Sequence, residues 1–434
     1  MLSFSRIKYE KYLSILKQEL VPALGCTEPI AIAYAASKAR EVLEAFPDRI
    51  IVKCSGSIIK NAKSVTIPNT GNLRGIKAAA IAGVVAGDSS KLMQVLEGIK
   101  DDDIEKIKKL ENQGICDIEI LDSSENLHII VEVINKDQSA CVEIVHSHIN
   151  IRRICKNGNI IYENKLYHDS NIGMDCLSSS NDLEENEMDI KSIYTFANCV
   201  KIEEIKEMMD KQINYNLAIA QEGLKSKYGA NIGKMLLECY GEDVFVKIRA
   251  YAAAGSDARM SGCSLPVVIN SGSGNQGITA SLPVIIYCKE HNIDAEKMYR
   301  ALVLSNLITI HQKSVLGKLS AYCGVVSAAC GSGAAITYLA GGTLEHIEKT
   351  IVNTLANVSG IVCDGAKASC AAKIASSIDA AILAHFMAMR GQRFEPFTGI
   401  VKETADKTIC AVGRLGREGM KETDKEVLKI MLDN

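Results

Sequence analysis

The chain has 434 residues, enough for two or three domains with sizeable cores. A formal net charge of −3 leaves no overall basic field, which argues against a nucleic-acid partner. Fifteen cysteines, an odd number spread along the whole length, do not make a small disulfide scaffold and read as mostly free, buried thiols in a reducing cytoplasm.

The N-terminal stretch MLSFSRIKYEKYLSILKQEL is charged and amphipathic and lacks an apolar secretory core. Leu13, Ile15, Leu16 and Leu20 form one helical face, which Pro22 and Gly25 interrupt. Thr27 suits an N-cap, with Glu28 and Pro29 in the first turn of a second helix running through Ala31–Leu43. RIIVKCSGSII and SVTI read as strands, closed by the turn PNTG at 68–71, and KAAAIAGVVAG as a tightly packed helix. Near Lys100 the composition changes. DDDIEKIKKLENQG reads as a charged surface helix, and CDIEIL, LHIIVEVI, SACVEIVHSHINI and NIIYENK alternate with period two, as in an antiparallel sheet with one face on a helix. SSSNDLEENE at 178–187 reads as an acidic linker.

From Ile190 onward the pattern is helical, punctuated by Gly and Ser doublets. The expected fold is therefore α+β: a mainly helical core from residues 1–99 and 190–434, with an antiparallel-sheet α+β insertion and linker at 100–189. Residues 260–288 and 319–344 carry no charge, and by length alone either could span a membrane. The second is dominated by Ala, Gly, Ser and Cys, and the first contains Pro266, Asn270, Asn275, Gln276 and Pro283. Both suit the centre of a helical domain better than lipid; a transporter with broken helices is the weaker reading.

Four cysteines, Cys323, Cys330, Cys363 and Cys370, lie in YCGVVSAACGSGAA and IVCDGAKASC, where small neighbours would let the backbone approach a bulky inorganic group. On a continuous helix, Cys363 and Cys370 would be about 10.5 Å apart along the axis. Asp364 and Gly365 instead put Cys363 in a loop and Cys370 in the first turns of the next helix, with Cys323 supplied by an earlier loop or helix start. Thiolates at such places are stabilised by backbone N–H groups. The absence of any Cys-x₂-Cys pair argues against a zinc finger and a two-cluster ferredoxin. His346 and His385, the nearest histidines in sequence, adjoin none of these cysteines. Spacing alone leaves two readings: a metal cluster, or four small residues in packed helices.

Cys26 precedes a helix start, where the dipole lowers a thiol's pKa; a base or nucleophile and a small residue at a bend are equal readings. In VVINSGSGNQGITASLPVII, residues Ser271, Gly272, Ser273, Gly274, Asn275, Gln276 and Gly277 expose backbone and side-chain donors suited to a carboxylate or phosphate, or form a plain helix–helix turn. The loop is neither a P-loop nor a dinucleotide fingerprint. Upstream, Arg259 is either a bidentate carboxylate clamp or the partner of Asp257 in an internal salt bridge. Lys60, Asn61 and the PNTG turn form a third polar cluster.

These segments together resemble the L-cysteine desulfidase family, relatives of the alpha chain of iron–sulfur-dependent L-serine dehydratases. The resemblance covers nearly the whole chain and rests on GCTEP at 25–29, KNAKSVTIPNTG at 60–71, SDARMSG at 256–262, SGSGNQG at 271–277, the Cys323 segment and CDGAKASC at 363–370. It implies a [4Fe–4S] cluster on Cys323, Cys363 and Cys370, with one iron open as a Lewis acid and Cys330 left to packing. It implies Cys26 as the base that removes the Cα proton. It also implies elimination of sulfide from L-cysteine to give an aminoacrylate, then pyruvate and ammonia. Ser271, Gly272, Ser273, Asn275, Gln276 and Arg259 would bind the small amino-acid substrate. The alternatives are an iron–sulfur L-serine dehydratase, and a non-catalytic iron–sulfur or sulfur-handling protein with Cys330 as fourth ligand. The apolar content suits a homodimer, and an open iron implies oxygen sensitivity.

Overall fold

The structure is a computed structural model and describes residues 5–164, 188–317 and 319–433; the acidic run at 178–187 lies outside them. The fold is α+β. Helix α1 (Arg6–Glu19) is capped by Ser5, whose hydroxyl accepts from the Lys8 N–H at 3.2 Å. A short strand, β1 (Pro22–Leu24), leads into α2 (Thr27–Leu43). The N-cap of α2 is Cys26 rather than Thr27, and no side chain caps it. After β2 (Arg49–Cys54) comes α3 (Gly56–Ala62), so SGSII is helical and not the continuation of a strand. SVTI forms only an isolated bridge, Thr66 to Arg74, before α4 (Gly75–Ala86). Helix α5 (Asp101–Asn112) follows, with Asp101, Asp102 and Asp103 in its first turn, where the helix dipole favours them.

Strands β3 (Cys116–Ile120), β4 (His128–Asn135), β5 (Gln138–Val145), β6 (Ile151–Lys156) and β7 (Asn159–Glu163) join β2 in one sheet ordered β3-β2-β4-β5-β6-β7. The β2–β3 pairing is parallel and the other four are antiparallel. Alternation appears as expected: Ile129, Val131 and Val133 of β4 are buried on the face that α2 covers, with Ile50, Val52 and Cys54 of β2 beside them. The sheet does not respect the boundary drawn at residues 99/100. Strand β2, from the N-terminal part, is its second strand, so the 100–163 strands and the helical part share one sheet and one core.

Helices α6 (Ile190–Cys199), α7 (Ile202–Lys225), α8 (Ile232–Tyr240) and α9 (Val244–Met260) lead to β8 (Pro266–Val268). Then come α10 (Gly274–Glu290), α11 (Ala295–Leu316), α12 (Val325–Leu339), α13 (Leu344–Asn357), α14 (Cys370–Met389), α15 (Ala405–Arg414) and α16 (Lys421–Leu432). Helix α12 is buried among α10, α11, α13 and α14. The uncharged runs at 260–288 and 319–344 supply α10 and α12, both core helices. Among the described residues one helix, α14, is long and apolar enough to cross a membrane, and half of that window is buried against its neighbours.

Strand β1 pairs antiparallel with β8, Pro22 opposite Val268 and Leu24 opposite Pro266. The strands of this antiparallel ribbon exit at opposite ends, and Arg259, donating to the Gly25 carbonyl and to Asn275, links GCTEP to SGSGNQG. Gly277 lets α10 start against the ribbon, since a Cβ there would stand 2.0 Å from the Val268 carbonyl oxygen. Behind the ribbon, α2 and α4 touch backbone to backbone: a Cβ on Gly83 would lie 2.2 Å from the Ala33 oxygen. Neither backbone can yield without disturbing the sheet. Gly83→Ala is therefore expected to lower the unfolding free energy by about 1–3 kcal/mol, read as a shift in denaturant midpoint with an unchanged m-value.

Candidate active site

The ends of β1 and β8, the segment before α12 and the segment before α14 converge on one cavity of about 90 Å³. Cys26, Arg259, Ser271, Gly272, Ser273, Asn275, Gln276, Cys323, Cys363 and Cys370, the residues that the resemblance implies for the base, the substrate site and the cluster, line it. A larger open groove of about 850 Å³ between α2 and residues 87–90 contains none of them, and its lining offers no comparable chemistry. Cys330 is absent from the cavity; its thiol is buried inside α12 and donates to the Ile351 carbonyl at 3.9 Å. All described cysteines are free.

One wall of the cavity is thiol. The backbones at 321–323 and 361–363 are zipped together, with Cys323 N–H on the Ile361 carbonyl at 2.9 Å and Cys363 N–H on the Ala321 carbonyl at 2.7 Å. That short antiparallel bridge sets Cys323 beside Cys363, while Cys370 stands at the start of α14. Backbone hydrogen bonds from Val325, Gly365 and Lys367 reach the sulfurs of Cys323, Cys363 and Cys370, respectively. The Cys323 thiol donates to Cys363, which brings the Cys363 thiol down to about 6 and pushes Cys323 well above its ordinary value. Buried Lys60 pairs with Asp424 of α16 and donates to the Cys363 carbonyl at 3.3 Å, so the third polar cluster braces this wall from behind.

A second wall is a seat of N–H donors. Ser273 caps α10 without a side-chain bond, so the N–H groups of the helix's first turn are not consumed by a cap. Arg259, only 2% exposed, donates through Nε to the Gly25 carbonyl and through Nη1 to Asn275 Oδ1, both at 3.1 Å. Its Nη2 is buried without a hydrogen-bond partner. A buried guanidinium with an unspent N–H beside a bare helix start is a site for a carboxylate or phosphate. Arg259 and Asp257 form no ion pair. Asp257 accepts instead from the Gly233 N–H at 3.1 Å, and burial pushes its carboxyl up to about 6. Gln276 leans across to Gly324, where a Cβ would meet its side chain at 2.6 Å, and so links the seat to the thiol wall.

Cys26 stands between the two walls, packed with Met260 and Cys370. Its thiol donates to Glu28 Oε2 at 3.3 Å, and Thr27 Oγ1 donates to the same oxygen at 3.0 Å. The sequence reading expected the helix start to lower this thiol's pKa. Burial, with Glu28 adding to it, pushes the thiol far above its ordinary range despite nearby Arg259. A helix dipole contributes about 0.3–1 kcal/mol, whereas burying a charge costs several kcal/mol, so burial prevails.

Glu28, Lys313, Tyr322 and His148 also line the cavity and were not singled out. Glu28 is inside GCTEP, and its spacing from Cys26 was the available signal. Lys313 lies in the polar run His311-Gln312-Lys313-Ser314 near the end of α11, and His148 sits in a hairpin loop with no motif around it.

Residues 90–429 match the model of the serine dehydratase alpha chain. The chain belongs to that family. It is 54% identical over 425 residues to a UPF0597 protein of Lachnoclostridium phytofermentans, covering 98% of this chain and 100% of the relative. A UPF0597 protein of Treponema denticola is 44% identical over 436 residues, covering 99% and 100%, and one of Phocaeicola vulgatus is 37% identical over 429 residues, covering 97% of each. The protein is thus serine dehydratase-like, and the family suggests a lyase.

In metal-free protein, iodoacetamide at neutral pH is expected to label Cys363 before Cys323 and Cys370, with a rate that rises through about pH 6. Peptide mapping by mass spectrometry against pH reads this out.

Proposed function

We propose that the protein is an L-cysteine desulfidase that removes sulfide from L-cysteine by β-elimination, with a [4Fe–4S] cluster held by Cys323, Cys363 and Cys370. The observation that carries this is that three thiols, Cys26 and the N–H donors of Arg259 and the SGSGNQG loop line one cavity of about 90 Å³.

The donor set fits such a cluster. Three thiols share one wall, each receives a backbone hydrogen bond, and Lys60 and Lys373 place positive charge near Cys363. Among the described residues, no three His, Cys, Asp or Glu side chains approach closely enough to share a single metal ion. When bound, a cluster with three protein ligands supplies a Lewis-acid iron at its open position.

The chain's own residues do the remainder. Arg259 and the first turn of α10 hold the substrate carboxylate, and Asn275 keeps the guanidinium in plane through its Oδ1. Cys26 then faces the Cα proton. Glu28 Oε2 accepts the Cys26 thiol's hydrogen bond and is the group placed to take that proton as the substrate's ammonium offsets the cost of a buried thiolate, and the sulfur then acts as the base. The proton stored on Glu28 is available to the departing sulfide. Aminoacrylate leaves and hydrolyses to pyruvate and ammonia. The reaction belongs in a reducing cytoplasm, where the thiols persist.

A serine dehydratase with the same residues is the second reading, favoured by the family name. A non-catalytic protein with four cysteine ligands finds no support, since Cys330 does not reach the cavity.

The test is anaerobic reconstitution with iron and sulfide, followed by assay of sulfide and pyruvate from L-cysteine and of pyruvate from L-serine. Cysteine-dependent sulfide is expected; activity on serine alone would transfer the assignment to the dehydratase, and iron with neither activity would overturn the reading. Serine at position 323, 363 or 370 is expected to lose bound iron. Cys26→Ala is expected to keep iron and lose about 10²–10⁴ in kcat. Arg259→Lys is expected to raise KM by roughly tenfold or more, because a lysine cannot reproduce the planar fork.

A further inference from the structure

One element of the cavity belongs to neither wall. His148 is carried by the loop between β5 and β6, inside the sheet-bearing segment, yet it is buried against the glycine loop on the helical side. A Cβ placed on Gly272 would meet His148 Cε1 at 3.1 Å and Nδ1 at 3.2 Å, so the Nδ1 edge of the imidazole faces the loop that would hold the carboxylate. Gly272 itself has φ +79°, which together with this contact leaves room only for glycine there.

The loop that presents His148 is braced. Val145 N–H reaches the Asn150 carbonyl at 3.2 Å, Asn150 N–H reaches the Ser147 carbonyl at 3.1 Å, and the Asn150 side-chain amide donates to the Val145 carbonyl at 3.0 Å. His146, just before it, pairs with Glu125 at 3.2 Å. The neighbouring β3–β4 connection is tied to the thiol side of the site, with Asn126 Nδ2 donating to the Leu319 carbonyl at 2.9 Å. The sheet is therefore hydrogen-bonded to the cavity lining at Leu319 and packed on the glycine loop through His148.

We infer that His148 is a substrate-binding residue: with Arg259, its imidazole N–H holds the substrate carboxylate, and the sheet-bearing segment thereby forms one wall of the active site. The inference deepens the reading given under Proposed function and rests on it. The ligand class is a small α-amino acid, recognised by its carboxylate. A hydrogen bond from such a donor to a charged group is worth enough to change binding by roughly 10–100-fold.

The experiment compares the reconstituted wild type with His148→Ala, His148→Leu and His148→Gln. Steady-state kinetics use whichever of L-cysteine or L-serine the wild type turns over. Calorimetric titration uses L-alanine, which has the substrate's carboxylate and amine but no leaving group. Expected are a KM and an L-alanine Kd raised roughly 10–100-fold in the Ala and Leu variants, a kcat within about threefold, and substantial recovery in the Gln variant, which keeps an N–H donor. Iron content and the visible spectrum are expected to match the wild type throughout. An unchanged KM and Kd in His148→Ala would overturn the inference, as would recovery by Leu equal to that by Gln, or loss of iron. A fall in kcat at constant KM would also overturn it, by making His148 a proton-transfer group. If the wild type eliminates from neither substrate yet binds L-alanine in a His148-dependent way, the reading of the reaction fails and the assignment of His148 stands. If it neither reacts nor binds L-alanine, both fail.

Discussion

The active-site architecture depends on a very short piece of β structure. Three residues of β1 pair antiparallel with three of β8, more than 240 positions away along the chain, so the two motifs that follow leave this short ribbon at its opposite ends. One exit runs through Gly25 into Cys26 and α2; the other turns through Ser271 and Gly272 into α10. Arg259 then locks the exits to each other, donating to the Gly25 carbonyl on one side and to Asn275 on the other. So small a ribbon is marginal by itself. It persists because α10 is seated on it at Gly277 and because Asn216 of α7 both donates to the Val268 carbonyl and accepts from the Val268 N–H.

Electrostatics around that junction follow from burial more than from helix dipoles. A guanidinium, a carboxylate and several thiols are withdrawn from water within one cavity, and each is compensated differently. Arg259 spends two of its donors on the protein and keeps one in reserve. Glu28 accepts from two side chains on one oxygen. Cys363 is eased by its partner thiol and by lysines, whereas Cys26 pays the full desolvation and stays protonated. An unsatisfied buried donor and a proton held next to an acceptor are costs of the kind that gather at functional sites.

Much of this was legible in the sequence, and the pattern of what was not has physical causes. Helices with a clear 3.6 period and the alternating strands from Cys116 to Glu163 appear where expected, because local patterning dictates them. SGSII is helical because a short apolar run does not distinguish strand from helix. The place of β2 in the sheet was hidden because its partners, β3 and β4, lie some 60–80 residues further on, and composition changes after it. The site residues were readable as chemistry, being thiols, an arginine and a glycine-rich loop in otherwise apolar surroundings. Their convergence was not, since it depends on the ribbon and on the bridge at Tyr322 and Val362. His148 was read as part of one alternating strand, SACVEIVHSHINI; the structure ends that strand at Val145 and begins the next at Ile151, so the loop that carries the histidine was hidden by the continuing alternation.

The central claim is that three thiols hold a cluster with one iron open toward the carboxylate seat. Mössbauer spectroscopy of protein reconstituted with ⁵⁷Fe, recorded with and without L-cysteine, addresses it most directly. The account predicts that one iron of the four changes its isomer shift and quadrupole splitting on adding substrate while the other three do not. Four irons that are all unaffected by substrate would contradict it.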